Sequence, residues 1–156
     1  MLTRRTHISD HEEVFLRVRG PGYENPVCDA IYSLKPNGFW YAIDDRYLAS
    51  LGSAAIGKYQ YRVNLGETML AYLSCAAAVR EFSATFRSGE GIDWASVASV
   101  YDGVELNPYD SVVAGQVDWY HMWEYACGVV WRPGNVTLRA EGRIDRNRVG
   151  AVLRAV

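Results

Sequence analysis

A few side chains in this 156-residue chain carry reactive or recognition chemistry at suggestive positions. His7 lies in a short N-terminal run, THIS. Gly38 opens the stretch GFWYA, in which Phe39, Trp40 and Tyr41 follow one another. Glu105 sits in YDGVEL with Asp102 nearby, and Glu124 directly precedes the apolar run YACGVVW. A strand sends alternate side chains to opposite faces, so three successive aromatics leave at least one ring outside a one-sided core. That ring can cover a helix or serve as a platform for a flat, charged heterocycle. Glu124 and Glu105 are the candidate acids for work on a substrate held there. Each residue also has a plainer role open to it: core packing for the rings, a strand-end polar contact for His7, an exposed flank for Glu124.

Other chemistries lack their motifs. There is no HExxH, no GxSxG and no Gly-rich phosphate loop. Cys28, Cys75 and Cys127 are odd in number, widely spaced and without a CxxC pair, which argues against a zinc ribbon or a disulfide framework. A reducing cytoplasm is the simplest compartment for them, and no metal is expected. The chain turns charged at once in MLTRRTHISDHEE, and no apolar run approaches the ~18 residues of a membrane span. The net charge of −2 argues against a dedicated nucleic-acid binder. The arginines nevertheless crowd toward the end, at Arg139, Arg143, Arg146, Arg148 and Arg154, where phosphate or an acidic partner could be touched.

The elements that must position these residues follow from pattern and punctuation. The length fits one domain, residues 1–156. LTRRTHIS reads as a first strand. Ser9 or Asp10 then caps a helix with Val14, Phe15 and Val18 on its apolar stripe, stopped at Gly20-Pro21-Gly22. Residues 20 to 37 form a long loop. Gly38 to Ile43 is a strand, and Asp44 or Asp45 caps a short helix closed by Gly52. GKYQYRVNL alternates as a strand, and TMLAYLS is its neighbour. Ser74 caps an alanine-rich helix, and Asp93 caps DWASVASVY. VEL is a brief strand, and residues 107 to 123 are ambiguous. YACGVVW and VTLRA are strands around the turn Pro133-Gly134-Asn135, and the tail is a strand or a weak helix. Most connections are too short for parallel crossovers. The fold class is therefore α+β, mostly antiparallel, with short flanking helices.

In this order the pieces resemble a family, the ADP-ribosyltransferases of diphtheria-toxin-like and poly-ADP-ribose-polymerase-like type. The matching stretches are THIS, GFWYA with DDRYLASLG, YQYRVNLGE, and EYACGVVWRPGNVTL, which together span most of the chain. The resemblance implies split β-sheets and NAD as substrate. It implies that His7 holds the adenosine-side ribose, that Gly38 and Trp40 with Tyr41 beside it form the nicotinamide side, and that Glu124 is the catalytic acid, with Glu105 its rival. Where the family has Gly after its histidine, this chain has Ile8, and Arg4 or Arg5 is the alternative first-strand cation. The implied chemistry is cleavage of the nicotinamide–ribose bond through an oxocarbenium-like state, which a facing carboxylate stabilises. The acceptor of ADP-ribose would be a protein, a nucleic acid or a small molecule. Two other readings stand beside it: a non-catalytic interaction or assembly module using exposed aromatics, and a small hydrolase using Glu105 or Asp102.

Overall fold

A computed structural model describes residues 3–14, 16 and 35–155. Strand β1 (Arg5–Ser9) is followed by β2 (Phe39–Ile43), α1 (Arg46–Leu51), β3 (Tyr59–Asn64) and β4 (Leu70–Leu73). Then come α2 (Ala76–Thr85), the two-residue strands β5 (Arg87–Ser88) and β6 (Gly91–Ile92), α3 (Trp94–Ala98) and β7 (Gly103–Leu106). Two single turns, α4 (Ser111–Ala114) and α5 (Asp118–His121), lead to β8 (Cys127–Val130), β9 (Thr137–Arg143) and α6 (Arg146–Ala155). Seven strands form one mixed sheet in the order β4-β7-β8-β2-β1-β3-β9, and β5 pairs with β6 in a separate ribbon. The fold is mixed α+β, and β4–β7 is the parallel pair within a mainly antiparallel sheet.

Side-chain alternation gives the sheet two working faces. Tyr41, Ile43, Val63, Leu70 and Val130 gather on one. Thr6, Trp40, Ala42, Val104, Cys127 and Val129 lie on the other, beneath the helices. That second face holds the main core, in which Phe82 and the fully buried Trp119, Trp123 and Trp131 gather around Trp94. Their polar ends are placed as burial requires: Trp119 Nε1 donates to Ser83 Oγ (2.8 Å) and Trp131 Nε1 to the Tyr101 carbonyl (2.8 Å). A smaller cluster of Ala42, Tyr47, Leu48, Ala55, Ile144 and Val149 seats α1 and α6.

Several local expectations change in the fold. Residues 10–14 are bends and coil, not the start of a helix. Ser9 Oγ accepts from the His11 amide, Lys58 pairs with Asp10, and the Tyr61 hydroxyl donates to the Glu12 carbonyl; these side chains hold the segment out of a helix. The expected stop at Gly20-Pro21-Gly22 and most of the loop 20–37 lie outside the described residues. TMLAYLS does not pair with β3. It becomes β4 and pairs parallel to β7, because α2 and α3 supply the long crossover that parallel strands need. Cys75, not Ser74, is the N-cap of α2, while Asp93 caps α3 by accepting from the Ser96 amide (3.2 Å). The tail forms α6. The strands join in one continuous sheet, where split sheets were expected. The joint between β1 and β2 is nevertheless thin, with two register pairs, Arg5↔Ile43 and Thr6↔Ala42, against four between β1 and β3 and four between β2 and β8.

Candidate functional site

The thin seam is where the largest number of candidate residues meet. Beyond Thr6–Ala42 the β1–β2 ladder stops, and the two strands diverge around a cleft of about 260 Å³. Thr6, His7 and Ile8 from β1, Trp40, Tyr41 and Ala42 from β2, and Leu51, Lys58, Tyr125 and Cys127 line it. His7 bridges the seam. Its Nδ1 lies 2.6 Å from the Trp40 carbonyl oxygen, which can only accept, so Nδ1 carries the proton. The ring packs on Phe39 at 4.4 Å. Burial lowers the imidazole pKa from 6.5, partly opposed by the bond to the Trp40 carbonyl. The folded protein therefore favours a neutral ring whose Nε2 is the acceptor.

Trp40 faces the helix side of the sheet. Its ring meets Trp123 edge-on at 4.9 Å, and Lys35 Nζ stands 5.6 Å from the ring centroid. The next residue along from Trp123 is Glu124, and the next again, Tyr125, lines the cleft. Glu124 is exposed and takes a left-handed backbone, φ 65°. Asp44, at φ 59°, is the other non-glycine residue of this kind among the described residues. The two share one end of the β2–β8 pair, since the Ile43 amide donates to the Ala126 carbonyl (3.0 Å). Residues in that backbone region cost free energy, and such strain gathers at functional positions.

Tyr41, expected beside Trp40, sends its side chain to the opposite face, as strand alternation demands. Its hydroxyl donates to Glu105 Oε2 at 2.7 Å. Arg5 grips the same carboxylate through Nε (2.6 Å) and Nη2 (3.0 Å). Glu105 is 3% exposed, so this is a paired, buried carboxylate. The bond to Glu105 is the main cause that raises the Arg5 pKa, and burial is the main cause that raises that of Tyr41. The structure thus joins three sequence candidates, Arg5, Tyr41 and Glu105, on one face, and sets Trp40, with Glu124 one residue from its packing partner, toward the other.

Gly38 has a packing reason to be glycine. A Cβ there would stand 2.7 Å from Val129 Cγ2 and 2.8 Å from the Val130 carbonyl oxygen. Cys127 is buried, and burial pushes its thiol up to about 12, which leaves it protonated at neutral pH. Sequence reasoning passed over three cleft residues, Thr6, Lys58 and Tyr125, and Lys35, which stands on the Trp40 indole. Of these Thr6 is the most telling. It is 1% exposed, and its hydroxyl has no hydrogen-bond partner among the described residues. Strand alternation from His7 was the available signal, since it puts Thr6 on the Trp40 side. Among the described residues no group of three or more His, Cys, Asp or Glu converges, and no helix is long and apolar enough to cross a membrane.

Chemically the cleft offers aromatic edges, a hydroxyl and the Lys58 ammonium, with Lys35 on the indole and Glu124, whose backbone is left-handed, adjacent in sequence to Tyr125. Comparison with protein-family models, with curated proteins and with solved structures finds no match to this chain.

Proposed function

We propose that the β1–β2 seam is the binding cleft of an ADP-ribosyltransferase-like protein that cleaves the nicotinamide–ribose bond of NAD. The observation that carries this reading is the coincidence of an opened strand seam, walled by Trp40 and Tyr125, with Glu124 beside Tyr125 in a left-handed backbone. A cleft of this volume lies just below the range usual for ligand pockets, ~300–1,000 Å³, so it takes the nicotinamide ribose and leaves the rest of the dinucleotide on the surface. Trp40 offers the stacking plate, worth roughly 1–3 kcal/mol for a base-like ring. Stacking there moves Lys35 off the indole and toward a phosphate, and Lys58 is the second cation. Glu124 faces the charge that develops on the ribose, an interaction stronger in the transition state than in the substrate.

Protein melting in an NAD series, with nicotinamide release followed by chromatography, tests this. NAD at 100 times its dissociation constant adds ~2.7 kcal/mol, or about 5–11 °C for a domain of this size. Glu124→Gln should keep that shift and lose about 10²–10³-fold in turnover. The absence of both shift and release would overturn the reading.

One observation favours the non-catalytic interaction module instead: the Trp40 ring is committed on one side to Trp123 and on another to Lys35. A chain that ignores NAD but loses a protein partner on Trp40→Ala would be that module.

A further inference from the structure

The charge on this chain is divided between the two ends of its sheet. Between Asn64 and Asn135, which supply β4, β7 and β8, nine acidic residues face three basic ones. Between Val136 and Val156, which supply β9 and α6, five arginines face two acids. A net charge of −2 conceals this asymmetry.

At the basic end three arginines converge on one carboxylate. Arg62 on β3 and Arg139 on β9 are direct cross-strand partners, and Arg4 precedes β1 alongside them. Glu141 takes all three: Arg4 at 3.1 Å, Arg62 at 2.9 Å and Arg139 at 3.6 Å. One carboxylate balances one of three guanidinium charges. The Nε groups of Arg4 and Arg62 are buried, with no acceptor among the described residues, so only the Nη ends of these side chains face outward. Arg148 on α6 is occupied elsewhere, by Asp45 at 2.6 Å and by Gln60. Like charges placed directly opposite in a sheet are destabilising, and the one shared carboxylate offsets the Arg62–Arg139 pairing only in part.

The row is open. Arg139 is 75% exposed on the edge strand, and the next cross-strand pair on the same face, Asn64 and Thr137, is exposed and polar. An open line of cations beside hydrogen-bonding side chains suits an extended polyanion, whereas a single phosphate is better held in a pocket. The acidic β4 end repels the same polyanion and so orients its approach. We infer that the Arg4–Arg62–Arg139 row is a docking surface for the phosphodiester backbone of a nucleic acid. This does not rest on the NAD reading, since it uses other residues and another part of the sheet.

Fluorescence anisotropy of a labelled DNA duplex tests it. The full chain should bind, and three phosphate contacts should cost about 40-fold in affinity between 50 and 200 mM salt. Arg139→Glu should weaken binding about tenfold at the lower salt and flatten the salt slope. Arg80→Glu, at the acidic end, should change neither. Melting curves that match the wild type establish that each variant is folded, and Arg139→Ala replaces the reversal if it is not. Failure of the wild type to bind, equal weakening by Arg139→Glu and Arg80→Glu, or displacement of the duplex by an acidic peptide of equal charge would each overturn the assignment.

Discussion

The phenol ring of Tyr41 lies across the bare backbone of Gly128 and donates its hydrogen bond to Glu105, two strands away, at 2.7 Å. A Cβ on Gly128 would stand 2.3 Å from both Cζ and Oη of Tyr41. The absent side chain is therefore what lets the ring reach the carboxylate. Gly128→Ala should force the ring aside and cost about 1–3 kcal/mol, read as a melting temperature lowered by roughly 2–12 °C. An unchanged melting temperature would mean that the ring has another equally good position.

Glu105 is held by Arg5 and Tyr41 and is nearly inaccessible, which suits a structural carboxylate. Glu105→Gln leaves Arg5 without its counter-charge. The expected loss is about 3 kcal/mol, the low end for a broken buried pair, because the Arg5 side chain keeps 21% of its surface in water. Urea denaturation measures it. If stability held and nicotinamide release vanished, the acid would be Glu105 and not Glu124.

His7 should make stability fall on mild acidification. Its folded pKa lies below 6.5, so in the window beneath 6.5 the unfolded chain takes up a proton that the folded chain resists. Stability from the neutral ring is full above 6.5 and declines as pH falls through the lowered folded pKa. His7→Gln should remove this component, narrowing the difference between urea midpoints at pH 7.5 and 5.5. Parallel wild-type and variant profiles would refute it.

Glu124→Gly should separate stability from activity. Glycine accepts φ 65° without the steric cost that glutamate bears, so the variant should gain about 1 kcal/mol and melt about 2–4 °C higher. On the proposed function it should also release no nicotinamide. A gain in stability with full turnover would leave the strain without a catalytic purpose.

Much of the local structure was legible in the residues themselves. Alternation in YQYRVN marked β3, the acidic cap at Asp93 marked α3, and the apolar run CGVV marked β8, because period and capping act within a few residues. The same alternation sends the Trp40 and Tyr41 rings to opposite faces of β2. Tertiary structure decided what is non-local. It paired Arg5 with Glu105, 100 positions apart, and buried that candidate acid between Arg5 and Tyr41. It set β4 parallel to β7, placed the arginines of β3 and β9 opposite one another, and ended the β1–β2 ladder after two pairs. Strand partners are chosen by burial and loop closure over the whole chain, and no window of neighbouring residues contains that information.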